Sequence, residues 1–276
     1  MNSRVLLPML VSALLLSLGC SSLQFGYNHA RWAIVPKLKQ VTDFTDAQKS
    51  QIDVEFDKYM AWHRRKMLPD YARLLRQAAE GVAEEISPDL LKRQRTAWLD
   101  VWEATMRPAL PPMAKVLGEL DEKQITAMQT HFAEEDADAR KDLAKKTKEE
   151  RVKKRDEQTL DTLDDWAGGL SKAQRTALLP WVHKMPWRDE AWLDERKRMR
   201  DDLVTRLRVR EPADKVIQAF QSWFVERRRR MDAEGGGAFD AFVRAAGKTL
   251  DASQREHLRQ KLLGFANDCD ELSRQK

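Results

Sequence analysis

The chain has 276 residues, 42% hydrophobic and 34% charged, which is enough for one large domain or two small ones. Its 49 basic and 44 acidic residues nearly cancel, whereas a nucleic-acid binder concentrates a basic excess in one stripe. Two cysteines exclude a disulfide framework, and the polar–apolar alternation that marks strands is scarce.

The first 20 residues carry an address. Arg4 gives a short positive region, Val5 to Leu18 are apolar, and Gly19-Cys20 follows at once. The run is shorter than the roughly 20 residues of a membrane-spanning helix, and it has the order of a signal peptide. A Cys after a small residue at the end of such a run resembles the bacterial lipobox, with Ser17 where that pattern has Leu. Residues 1–19 are then the signal peptide and Cys20 the acylated first residue of the mature chain. Ser21-Ser22, with no Asp beside the Cys, resemble lipoproteins sorted to the periplasmic face of the outer membrane. Residues 20–43 form the tether and a short helix that Asn28 caps and Pro36 ends or kinks. Leu23, Phe25, Tyr27, Trp32, Ile34, Val35 and Leu38 there pack on the body or, as the less favoured alternative, lie on the membrane interface.

The body, 44–276, is organised by a phrase used five times. Phe44-Thr45-Asp46-Ala47-Gln48 returns at 120–124, 170–174 and 250–254, with a looser copy at Ile86-Ser87-Pro88-Asp89. An apolar residue, then Thr, Ser or Asp, then Gln three positions later is a capping box with a hydrophobic staple, so each copy starts a helix. From Thr45, the positions Ile52, Phe56, Tyr59, Met60, His63, Met67, Tyr71 and Leu74 recur at three and four, and Pro69 interrupts them. A second helix from Ser87 carries Trp98 and Trp102 and breaks at Pro108 and Pro111-Pro112. Asp121 starts what reads as the longest element, running to Gly168-Gly169. Its middle, 134–157, holds nine acidic and nine basic residues, so it is a solvent-laced helix or a frayed arm, with Asp136 and Asp138 exposed. Shorter helices follow from Ser171, around Trp192, from Pro212, after a flexible Gly235-Gly236-Gly237 break, and from Asp251. The expected fold is all-α: long and short antiparallel helices with kinks in an irregular bundle, with a subdomain boundary near 168–170. The unequal spacing of the phrases argues against a solenoid.

No pattern for catalysis, cofactor or metal emerges. His29, His63, His131, His183 and His257 never fall within four residues of one another, and Gly235 to Gly237 lacks the Lys-Ser/Thr of a phosphate loop. His63 lies on an apolar stripe and is expected to be buried against a carboxylate, with Asp70 two turns on. Cys269, between Asp268 and Asp270, is expected to be an idle thiol with a raised pKa. The basic runs, Arg64 to Lys66, Lys145 to Lys148, Arg151 to Arg155 and Arg227 to Arg230, read mainly as helix surface, with anionic head groups or acidic clients as further contacts.

Phe25-Gly26-Tyr27-Asn28, Trp62 to Tyr71, Trp166-Ala167-Gly168, Leu170 to Gln174 and the Trp192–Arg196 region, with the lipobox, resemble the DUF6279 family of bacterial lipoproteins. That resemblance covers nearly all of the mature chain. It implies an envelope address and a helical body, and carries no catalytic residues. Thr45-Asp46-Ala47-Gln48 with Lys49 and Ile52 also resembles the periplasmic stress proteins with Leu-Thr-x-x-Gln repeats, which implies a helical cradle for client chains. The functional expectation is a membrane-anchored, non-catalytic lipoprotein that binds or scaffolds a protein. A chaperone-like role, or a hydrolase of envelope material, is the alternative. Its partners are membrane lipid through Cys20 and an envelope protein client, with no nucleic acid and no cofactor. The expected partner surface is Trp62, His63, Arg64, Arg65, Trp192 and Arg196.

Overall fold

The computed structural model describes residues 22–83, 87–230, 233 and 236–275. The signal peptide and Cys20 lie outside these residues, as does part of the expected flexible break at 235–237. Among the described residues the protein is all-α, with no strand. The helices are α1 (Ser22–Asn28), α2 (Ala30–Lys39), α3 (Asp46–Lys66), α4 (Leu68–Ala83), α5 (Pro88–Met106), α6 (Leu110–Gly118), α7 (Glu122–Ala144), α8 (Lys148–Ala167), α9 (Lys172–His183), α10 (Asp189–Arg208), α11 (Ala213–Arg230), α12 (Gly236–Thr249) and α13 (Ala252–Arg274).

The four full copies of the phrase form capping boxes. Thr45, Asp121, Ser171 and Asp251 each accept the backbone N–H of the third helical residue, whose Gln side chain accepts the N–H of the cap. Ser87 caps α5 by accepting the Leu90 N–H. Such a cap contributes about 1 kcal/mol, so these sites fix where helices begin. Pro69 and Pro108 also act where expected. Leu68-Pro69 opens α4 directly after α3 ends, and Arg107-Pro108-Ala109 is a single 3₁₀ turn between α5 and α6. Gly168 takes φ +75° and Gly169 φ +111°, left-handed values that end α8.

Three local expectations are corrected. The element from Asp121 is two helices, because Thr147-Lys148-Glu149-Glu150 is itself a capping box that restarts the chain as α8. Arg151 closes the break by donating to the carbonyls of Leu143 (3.0 Å) and Lys146 (2.8 Å). It also pairs with Asp189 and Glu190 at the start of α10. The charged stretch is not wholly solvated either: Asp136 and Asp156 are buried, held by Arg196 with Arg200 and by Arg155 with His183. Finally, α2 has no side-chain cap and runs past Pro36 to Lys39, while the Asn28 side chain instead bonds Arg64 and Gln275.

Helix order and helix contacts repeat. In the series α3 to α7 and the series α9 to α13, a boxed helix is followed by three more and then by a second boxed helix. The contacts cross between the series. The second helix of the first, α4, makes its most extensive contact with the last helix of the second, α13, and α10 packs in the same way on α7. Third and fourth helices exchange likewise, α5 against α12 and α11 against α6. The largest apolar cluster joins Phe44, Leu117, Leu120, Ile125, Met128, Leu203, Leu207 and Val216 from both series. Smaller ones hold Leu68, Ala72, Ala266, Cys269 and Leu272, and Leu160, Leu178, Val182, Phe242 and Ala246. The Gly168-Gly169 turn falls between the two series.

The boxed helices within each series are clasped by their glutamines. Gln124 Nε2 donates to Gln48 Oε1 at 2.7 Å and to the carbonyl of Asp43 at 2.9 Å, and Gln48 Nε2 reaches the carbonyl of Glu119 at 3.4 Å. The second pair does the same: Gln174 Nε2 donates to Gln254 Oε1 at 2.7 Å and to the carbonyl of Thr249 at 2.9 Å, and Gln254 donates to the carbonyl of Gly169. In every case the carbonyl belongs to the residue two before the partner helix's cap. One amide thus completes its own cap and ties down the chain entering the other.

Candidate functional site

The end of α3 and the start of α4 bring together an aromatic cluster that the sequence marked in part. Tyr59, Trp62, His63 and Tyr71 lie there at helical spacing, and Tyr27 from α1 and Trp98 from α5 close on them. His63 Nδ1 bonds the Tyr27 hydroxyl at 2.9 Å, so its partner is a phenol rather than the expected carboxylate. Asp70 instead pairs with Arg73 at 3.1 Å near the surface. Burial holds the imidazole below its ordinary value and pushes the hydroxyls of Tyr27 and Tyr59 up to about 12. Both effects keep the cluster neutral. The Tyr71 hydroxyl bonds Thr105 Oγ1 at 2.7 Å.

The remaining expected surface residues fall in two neighbourhoods. Arg64 lies over the Tyr27 ring, 5.1 Å from its centroid, and bonds Asn28, Gln275 and the carbonyl of Leu272. It therefore ties α1 and the end of α13 to α3. Arg65 is exposed, its Nε donating to the carbonyl of Ala61 within its own helix. Trp192 and Arg196 lie on α10, the guanidinium 4.8 Å from the indole centroid while its Nε donates to the buried Asp136 at 3.0 Å. No hydrogen bond, ion pair or ring contact links this pair to the Trp62–Arg65 group among the described residues.

A concave site lies elsewhere. Between α5 and α11, the third helices of the two series, is a cleft of about 310 Å³ lined by Trp98, Leu99, Trp102, Glu103, Phe224, Arg227 and Arg228. Trp102 and Phe224 meet edge to face at 5.3 Å, and Trp98 stacks on Tyr71 behind it, joining the cleft wall to the His63 cluster. Arg228 pairs with Asp100 at 2.6 Å. Arg227 is exposed at the rim and has no ion pair among the described residues. The sequence showed Trp98 and Trp102 one turn apart and the run of arginines closing α11. It gave no sign that the two faces meet.

Cys269 sits inside the α4–α13 contact. Burial, with the neighbouring Asp268 and Asp270 adding to it, pushes its thiol up to about 11, so the thiolate that nucleophilic or redox chemistry needs is suppressed. Among the described residues no group of His, Cys, Asp and Glu side chains is placed to hold a metal ion.

A family model described as a family of unknown function (DUF6279) matches residues 40–223. The chain belongs to that family. The matched span takes in the whole first clasp, the α5 wall of the cleft and only the Ser171 half of the second clasp, while the α11 wall, Phe224, Arg227 and Arg228, lies beyond it. No curated protein and no solved structure matches the chain.

Proposed function

We propose that this is a lipid-anchored envelope lipoprotein that works without catalysis, by binding a protein client in the cleft between α5 and α11. The observation that carries the reading is the cleft itself, with two indoles and a phenyl ring on its walls and, at its rim, a guanidinium with no ion pair among the described residues. Trp and Arg side chains in a partly desolvated pocket make strong binding anchors. The volume lies at the low end for small-molecule sites and suits one or two side chains of a larger partner. Arg227 favours a client segment that presents a carboxylate beside its apolar residue. The anchor rests on the lipobox at Gly19-Cys20.

Arg64, which the sequence offered as a client contact, gives way to Arg227 in this reading, since Arg64 is used in holding α1 and the end of α13. A photo-crosslinking side chain at position 102 should yield a discrete protein adduct in intact cells. That adduct should vanish with Arg227→Glu and be missing from the same probe at Val54, exposed on α3. Identical adducts from positions 102 and 54 would overturn the cleft assignment. Separately, Cys20→Ser should leave helicity intact and move the protein out of the membrane fraction. Full retention of that variant through a high-salt wash would overturn the anchor.

A further inference from the structure

The expected tether segment divides into two faces. Val35 is buried, Leu23 and Tyr27 pack into the α4–α13 cluster, and Gln24 donates to Asp268 and Glu271 on α13. One edge of α2 is clamped to α3, with Arg31 on Asp53 at 2.8 Å and Lys39 on the same carboxylate at 2.6 Å. The rest of its surface is open. Trp32 is 76% exposed and Phe25 61%, and Ile34 and Leu38, on the flank of α2 away from Trp32, are above 40%. Phe25 stacks on His29 at 4.1 Å and His29 meets Trp32 at 5.0 Å, which makes a continuous row of rings across α1 and α2. A surface helix ordinarily turns polar residues outward, and large aromatic side chains left this exposed mark a contact surface. Lys37 supplies a positive charge on the open side.

Two features specify the cover. Cys20 stands two residues before the start of α1, and two residues of extended chain reach at most about 7 Å. The sequence also has no Asp or Glu before Asp43, although it holds 44 in all, while Arg31, Lys37 and Lys39 lie in this stretch. The result is an exposed aromatic surface beside the attachment point, with a positive charge, Lys37, that is unpaired among the described residues, a combination that suits the head-group region of a membrane.

We propose that α1 and α2 are a membrane seat: Phe25, Trp32, Ile34 and Leu38 enter the head-group region of the bilayer, with Lys37 at the phosphates. The body is then held in one orientation instead of swinging on its lipid. This inference rests on the Cys20 anchor proposed above.

The test uses the acylated full chain reconstituted in vesicles of phosphatidylethanolamine and phosphatidylglycerol. A thiol-reactive fluorophore is placed through Ile34→Cys, and as a control through Lys153→Cys on α8, while buried Cys269 stays unlabelled. Head-group nitroxide lipids should quench the label at 34 several-fold more than the label at 153. Adding Phe25→Ser and Trp32→Ser should bring the two level. Protein that stays with the vesicles while both labels quench alike overturns the seat and leaves the anchor standing. Protein that does not stay with the vesicles overturns both. A concentration-dependent dimer that shields position 34 from lipid quenchers also overturns the seat, making a second copy the cover.

Discussion

The two glutamine clasps have the same hydrogen bonds and different surroundings. In the first, Gln48 and Gln124 are 7% and 5% exposed and sit against Phe44, Leu120 and Ile125 in the main cluster. The hydroxyl of Thr42 also donates to the carbonyl of Gln124 at 2.6 Å. In the second, Gln174 and Gln254 are only partly covered. An amide bond that water can replace contributes little net, while one sealed in a core leaves a costly orphan when its partner goes. The same local grammar thus serves as a core keystone in one series and as a surface clip in the other.

Replacing one amide at each clasp tests that contrast most directly. Gln124→Ala leaves the buried side chain of Gln48 without its amide partner and should cost about 2–3 kcal/mol. The measurement is the urea midpoint at unchanged m-value. Gly168→Ala should come next at about 1–2 kcal/mol from the left-handed backbone alone. A methyl group there would also stand 2.8 Å from the His257 ring, so adding His257→Ala should recover part of the loss. Gln254→Ala, whose orphaned groups can turn to water, should cost about 1 kcal/mol or less. Equal losses for Gln124→Ala and Gln254→Ala would remove the distinction between the clasps.

The smallest effect is a pH slope, and it belongs to the first series. His63 is enclosed by Tyr27, Tyr59 and Tyr71, whereas the His183 side chain of the second series is 68% exposed. Because burial lowers the folded pKa of His63, the unfolded chain takes up its proton first as the pH falls. Stability is therefore full above about 6.5 and is lost as the pH drops through the folded value. His63→Gln should flatten that part of the profile in urea titrations run at pH 7.5 and 5.5. An unchanged slope would show that the imidazole is not sealed in the folded state.

How much of this was legible follows the range of the interactions. Caps, proline breaks and the Gly168-Gly169 stop are local, and their residues sat in plain sequence. The Thr147 box was equally local, but the dense charge around it hid the signal. The clasps also left a trace: the paired glutamines are 76 residues apart in the first series and 80 in the second, a near-repeat obscured by the irregular copy at Ser87. The partner of His63 was not legible, since a tyrosine 36 positions away competes on equal terms with every nearby carboxylate until packing selects it.

By itself, then, the sequence determined the all-α class and most helix boundaries, because those depend on capping, backbone restriction and apolar periodicity within a few residues. Tertiary structure alone decided that α4 pairs with α13 and α7 with α10, that Asp136 is enclosed by Arg196 and Arg200 and Asp156 is reached by His183, and that Trp98 and Trp102 face Phe224 across a cleft. It also decided which side of α1 and α2 was left open. An apolar stripe states that a face must be covered, and many faces in this chain make the same demand. Only the complete packing assigns each face its partner, and it leaves Phe25 and Trp32 without one from the described chain.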